Sequence, residues 1–277
     1  MAQNVIAVIA PSAASPSPGL SGSVSFGDVG LALCLVAVAV VVSRISQVGL
    51  EGDLLVATFR SLAQLLAVGY VLDYVFGGHG ALTLLVLAVM VSTATITSGR
   101  RGRLVPGHYA VSAASIAVAT AATLGVLVVL GIVPTSARAV IPLGSMIIAS
   151  AMNTTSLVMV RLRDDLATHR REVEARLSLG QTSHQAASPW HRAAMRTGML
   201  PTIDQTKVVG LVVLPGAMTG MILAGASATQ AIRLQLVVMY MLLGGNAFAA
   251  LVAGETTVRR LFTTHHQLVR SLRRVSI

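Results

Sequence analysis

Among 277 residues, the side chains that invite chemistry are the few polar ones inside long apolar runs. Arg60 stands within the run Leu54–Phe76, and Gln64 shares its face one helical turn on. Asp204 lies just before a second run, Val208–Ala226, at the same expected membrane level. A charge in lipid is costly, so it pairs, faces water, or stretches to the headgroups. Two readings are open: an Arg60–Asp204 ion pair tying two helices together, or Arg60 reaching out to headgroups.

A third run, Ala139–Val160, carries Ser145, Met152, Asn153, Thr154, Thr155, Ser156 and Met159. Met152, Asn153, Thr155 and Met159 could line a path for a polar or metal cargo. The same small and polar residues could equally glue one helix to another. Met218, Met221, Met239 and Met241 invite a metal reading, but methionine is also ordinary apolar filler. Hard or borderline cations want carboxylates, imidazoles or carbonyls, and the only carboxylate within the apolar runs is Asp73. A free metal ion therefore has no ligand cage here. Either a dimer assembles one, or the metal crosses as a complex, or the cargo is something else. Gly216 and Gly220, spaced as G-x-x-x-G behind Pro215, permit close helix packing and mark a candidate dimer or gating surface.

Catalytic motifs are missing from the sequence. It holds no G-x-x-x-x-G-K-[ST] loop, no H-E-x-x-H, no C-x-x-C and no G-x-S-x-G, and Lys207 is its only lysine. Neither an ATPase nor another enzyme is expected of this chain, and no bound cofactor.

The elements that position these residues follow from composition. Hydrophobic residues make up 54% and charged residues 11%, and mean hydropathy is +0.78. Soluble domains are about 25% charged, so the solvent of this chain is mostly lipid. A lone cysteine, Cys34, excludes a disulfide scaffold. Runs long enough for a bilayer core of roughly 20 residues occur at Val29–Ser43, Leu54–Phe76, Ala81–Ser98, Tyr109–Val133, Ala139–Val160, Val208–Ala226 and Leu234–Ala253. They are rich in Leu, Val and Ala without the alternation of barrel strands. The expected fold is all-α, with about seven transmembrane helices. Residues 1–25, rich in Ala, Ser, Pro and Gly, read as a disordered tail; a cleaved signal peptide is the rival, but no Lys or Arg precedes Val5–Ala10.

Nineteen of the twenty cations are arginine. Counting loops alternately, sixteen fall on one side, among them Arg100, Arg101, Arg103, Arg161, Arg170, Arg176, Arg259 and Arg260, while only Arg138 and Arg233 fall on the other. The positive-inside rule then places the N-terminus outside and the C-terminus in the cytoplasm. The net charge of +10 is thereby read as orientation rather than as affinity for nucleic acid.

One connection is long, 161–207. Leu162, Leu166, Val173 and Leu177 recur at helical spacing, with Asp164 and Asp165 in the first turn, Arg176 near the end and Gly180 as the stop. Thr182 offers an N-cap for a second helix ending near Ser188-Pro189. This is either an amphipathic segment lying on lipid headgroups or a docking site for a cytoplasmic partner.

The residue order favours the second. Glu174-Ala175-Arg176-Leu177-Ser178-Leu179-Gly180 resembles the E-A-A-x-x-x-G coupling motif of ABC-transporter permeases, with Arg176 in place of the second Ala and Leu200-Pro201 about eight residues late. The wider string is more specific: Arg176 to Gly180, Gln185-Ala186-Ala187, Leu200-Pro201-Thr202-Ile203-Asp204, and Lys207 through Leu214-Pro215-Gly216-Ala217-Met218-Thr219-Gly220. Arg60-Ser61-x-x-Gln64 and Val68-Gly69-Tyr70-Val71-Leu72 extend the likeness. The chain resembles the FetB/YbbM-type family of ABC permeases, whose bacterial members include the membrane subunit of an iron exporter and whose plant relatives are linked to aluminium tolerance. Its long proline-rich N-terminal tail and Pro189-Trp190 depart from the family pattern.

The resemblance implies a permease subunit in the plasma membrane, exporting iron or another metal. It implies a homodimer driven by a separate ATPase that holds ATP and magnesium, with Glu174, Ala175, Leu177, Gly180 and Thr182 making the coupling. The expected layout is a tail at 1–25, helices one to five in 26–160, a cytoplasmic coupling segment at 161–207, helices six and seven in 208–255, and a basic tail at 256–277. An ATP-independent carrier or channel for a metal ion or small polar solute is the alternative, and a membrane-anchored scaffold a third possibility.

Overall fold

The computed structural model describes residues 26–47, 49–76, 80–263 and 265–269, without the side chains of 26, 70–76, 80 and 81. The predicted tail at 1–25 and the last residues of the basic tail lie outside them. Among the described residues there are nine helices and no named strand: α1 Phe26–Ile45, α2 Glu51–Phe76, α3 Gly80–Arg101, α4 His108–Val129, α5 Ala137–Thr168, α6 Arg170–Ser178, α7 Ser183–Val208, α8 Gly216–Leu223 and α9 Ala228–Leu261. Six of these (α1 to α5 and α9) are long and apolar enough to cross a membrane.

Two compact units emerge. One holds α1 and α2 with Leu223–Gly225; the other holds Gly80–Ile222 and the chain from Ala226 onward. In the first, the turn between the helices is tied by Ser43, whose hydroxyl donates to Glu51 (3.3 Å) and accepts the Leu50 amide (3.1 Å).

In the second unit α5 and α9 form the centre, packed with α3, α4 and α7. At one end Leu124, Leu127, Val133, Ala139, Ile147, Val238 and Met241 bury together. At the other, arginine-rich end, Val105, Leu162, Leu166, Val173, Trp190, Leu261 and Leu268 share a single core. Near the arginine-rich end of α3, Ser98 accepts hydroxyl hydrogen bonds from Ser112 and Ser156, each 3.1 Å, so α3, α4 and α5 are pinned by small polar residues.

The sixth predicted span, Val208–Ala226, is not a continuous helix. α7 ends at Val208, residues 209–215 are non-helical, and α8 lasts only to Leu223. Gly210 adopts φ +84°, a left-handed backbone natural to glycine, and Pro215 has no amide to continue a ladder. The backbone meets its own needs locally: the Leu211 and Val212 amides return to the Val208 carbonyl, and the Gly210 amide to that of Val213. Among the described residues, a Cβ at Gly216 or Gly220 would meet nothing within 4 Å.

The second helix of the long connection does not stop at Pro189. α7 runs through both Pro189 and Pro201 for 26 residues. An interior proline loses an amide hydrogen bond and crowds the carbonyl four residues back; burial of Ala186, Ala187, Trp190, His191 and Ala194 against the arginine-rich core holds the helix through it. The single amphipathic helix expected over Leu162–Leu177 is in fact two. α5 extends past its predicted end to Thr168, the chain turns at His169, and α6 follows, yet Leu162, Leu166, Val173 and Leu177 still meet in one core.

Candidate functional site: a helical hairpin and a polar notch

The hairpin α6–α7 projects from the arginine-rich end. Its turn is built by sequence-local rules. The Gly180 amide donates to the Leu177 carbonyl and the Gln181 amide to that of Arg176, with Gly180 at φ +85°; this is a Schellman stop that glycine makes without strain. Thr182 accepts the Gln185 amide while the Gln185 side chain accepts the Thr182 amide, closing a capping box. Both expectations from the sequence hold. Leu179, 83% exposed, forms the tip.

Glu174 is held by Arg170 (2.8 Å) and Glu172 by Arg176 (2.8 Å), both pairs one turn apart on α6. Arg176 also stands over the Trp190 ring at 5.4 Å, and His169 lies 5.4 Å from the same ring. The residue that departs from the coupling motif thus fastens α6 onto α7. Leu177 packs against the shared core, and Ala175 lies on the hairpin's first helix.

The C-terminal segment clasps the hairpin base. Phe262 bridges to Leu268, Leu268 is buried in the core, and Nδ1 of His266 accepts the Ser183 amide (3.2 Å). Beside it His184 meets Glu255 at 3.2 Å, and His191 packs edge-on to His184 with ring centres 5.3 Å apart. His191 is buried with Nε2 unpartnered among the described residues, and a Cβ on Gly254 would come within 2.5 Å of that nitrogen. Burial first, then the neighbouring His184, push the His191 pKa below its usual 6.5, although Glu255 pulls the other way. The neutral ring is the form the fold accepts. Stability is therefore full above about pH 6.5 and is lost as pH falls towards the lowered folded value, because the unfolded chain takes up the proton first. A thermal-melt series from pH 7.5 to 5 should show this loss in the wild type and a flatter profile in His191→Gln.

Among the described residues, no three His, Cys, Asp or Glu side chains stand together to hold a metal ion.

The second feature lies deeper, between α5 and α7. Ser150, Asn153, Thr154, Leu157, Gly198, Pro201, Thr202 and Gln205 enclose a notch of about 150 Å³. Asn246 of α9, almost wholly buried, donates through its amide nitrogen to the hydroxyls of Ser150 (2.7 Å) and Thr202. Arg101, at the end of α3, donates to the Asn153 carbonyl oxygen at 2.9 Å. Since Ser150 and Asn246 lie within predicted spans, the Thr202 level of α7 belongs beside the apolar bundle, earlier than the predicted start at Val208.

The two readings of the Ala139–Val160 run divide by residue. Thr155 and Met159 are 0% exposed, with Met159 packed over Gly102, so both belong to the helix interface. Met152 packs beside Ala94, Ile116 and Ile148. Asn153 alone of the four pathway candidates lines the notch. Asp204 is paired with Lys207 at 3.1 Å; Arg60, one turn from Gln64 on α2, belongs to the other unit. The sequence alone does not single out Asn246 or Gln205, and Thr202 enters it only within the string that carries the resemblance. An asparagine inside the predicted seventh span was the available signal, since a buried amide in lipid must find partners.

Long apolar helices joined through buried hydroxyls and amides define a multi-pass membrane protein. The family described as Uncharacterised protein family (UPF0014) matches residues 26–262, and the chain belongs to that family. It is 39% identical to the UPF0014 membrane protein STAR2 of Oryza sativa subsp. japonica, over 86% of this chain and 84% of that one. Protein ALUMINUM SENSITIVE 3 of Arabidopsis thaliana is 37% identical, with 86% and 87% covered. The probable iron export permease protein FetB of Escherichia coli (strain K12) is 34% identical, with 90% and 96% covered. No solved structure matches the chain.

Proposed function

We propose that this chain is the permease subunit of an ABC transporter in the plasma membrane, exporting iron or another metal. A separate ATPase, binding ATP and magnesium, drives it, and two copies of the chain enclose the path. The arginine-rich end faces the cytoplasm, with the N-terminus outside. The chain itself does no catalysis.

The observation that carries this reading is the α6–α7 hairpin. A short helix, a glycine-terminated turn and a capped second helix form a rigid projection with an exposed leucine at its tip. α7 continues from that projection along α5 and α9 to the break at 209–215. A push on the hairpin is thereby delivered directly to the notch and to the broken crossing. The iron in the name of the bacterial relative supports the choice of cargo.

Co-expression with an ATPase encoded beside the gene tests the reading. The ATPase should co-purify, and Gly180→Val, which forces a branched side chain into a left-handed backbone, should uncouple hydrolysis from transport. An ATPase that never associates, or full transport by Gly180→Val, defeats the proposal.

A further inference from the structure

We infer that the notch between α5 and α7 is a binding site for an oxyanion, a phosphate or carboxylate group carried by the cargo or forming the ligand shell of a metal, and not for a bare cation. For the word cargo this rests on the permease reading; the site itself rests on the direction of its hydrogen bonds.

Asn246 carries that direction: its amide nitrogen faces Ser150 and Thr202, while its buried carbonyl oxygen has no partner among the described residues. Both hydrogens of its amide nitrogen are engaged by Ser150 and Thr202, so these two hydroxyl oxygens act as acceptors towards the protein. Among the described residues neither hydroxyl donates in turn, and each keeps its own hydrogen for whatever occupies the notch. Asn153 repeats the pattern. Its carbonyl oxygen is taken by Arg101, which leaves the NH2 group free to donate. Gln205 adds a second amide, which can turn either its NH2 or its carbonyl to the notch. Ser150, Thr202 and Asn153 thus turn donors to the notch, and Arg101, outside the lining itself, is held beside it by Asn153.

Charge points the same way. No carboxylate lines the notch, and the one carboxylate on this half of α7, Asp204, is neutralised by Lys207. A bare divalent cation would meet hydrogen atoms and the positive charge of Arg101 in place of the oxygen donors it needs. An oxyanion would meet hydroxyl and amide donors with arginine alongside, the charge-assisted geometry that phosphate and carboxylate prefer. Gly198 lets α7 close onto α5 beside the notch: a Cβ there would stand 2.5 Å from Val158 and 3.2 Å from the Thr154 carbonyl.

The test uses the full chain in phosphatidylcholine nanodiscs, with radiolabelled inorganic phosphate, ferric citrate and manganese(II) as probes. Phosphate and ferric citrate should be retained and manganese should not. Arg101→Gln should weaken retention at least ten-fold. Asn246→Asp should do the same, because a carboxylate would draw both hydroxyl hydrogens inward and turn the lining from donor to acceptor. Ser150→Ala, a milder change judged alongside its thermal midpoint, should weaken binding without unfolding the chain, and Thr202→Ser should keep it. Retention of manganese alone, or phosphate binding indifferent to Arg101→Gln and Ser150→Ala, overturns the inference. Displacement of the soluble anions by phosphatidylglycerol in the discs also overturns it, by making the notch a lipid headgroup site. Anion binding in a chain that recruits no ATPase would leave the site standing and remove only the coupling assignment.

Discussion

Trp190→Ala is expected to destabilise the protein by about 3–5 kcal/mol, the cost of emptying a large aromatic from a packed core. Trp190 lies where α7 meets α5, α6 and α9, buried among Leu162, Leu166, Val173 and Leu261. Its ring also receives Arg176 and His169. Removing it leaves a cavity and frees α6 from α7, so the hairpin should loosen before the helical bundle does. Circular dichroism melts in detergent provide the measurement, with Trp190→Phe retaining most of the stability. A loss below about 1 kcal/mol would mean that the ring is peripheral. Because this is the only tryptophan in the sequence, fluorescence of the wild type under tryptophan-selective excitation reports on the hairpin base alone. Docking of a partner should therefore shift it.

Gly198→Val should cost about 1–3 kcal/mol or more, from overpacking. The nearest groups to an added Cβ are the Val158 side chain at 2.5 Å and the Thr154 backbone carbonyl at 3.2 Å. Val158 can rotate, but the carbonyl belongs to the hydrogen-bond ladder of α5 and cannot. The two helices must separate, which also spoils the notch they enclose. Gly125→Ala on α4 is the control, because a Cβ there meets nothing within 4 Å; helix propensity alone should make it neutral or stabilising by up to about 1 kcal/mol. Equal melts for the two variants would refute the close contact between α5 and α7.

The contrast between these positions shows what a sequence discloses. The Gly180 stop and the Thr182 cap were legible because their hydrogen bonds close within five residues. The membrane class was legible from composition, and the gathering of Arg-flanked helix ends around one core from the charge asymmetry. Pro189 misled for the opposite reason. Local chemistry ends a helix there, while burial of Ala186, Ala187 and Trp190 against distant residues keeps α7 intact. The apolar content of Val208–Ala226 concealed a break set by Gly210 and Pro215. The rotation of α5 was hidden as well. Thr155 and Asn153 look equally polar on paper, and only the packing of α3, α4 and α7 sends one inward and the other to the notch.

The clasp formed by the C-terminal segment bears on how the molecule is made. Val173 and Trp190 are synthesised long before Val258, Leu261, Phe262 and Leu268, yet all six share one core. Until that later stretch is made, Val173 and Trp190 have Leu162 and Leu166 of α5 beneath them but lack the wall that Val258, Leu261, Phe262 and Leu268 supply. A chain interrupted before Leu261 would carry the hairpin without that wall. The hairpin base is thus finished by a segment far behind it in the sequence, and its packing is completed only after the hairpin itself has been synthesised.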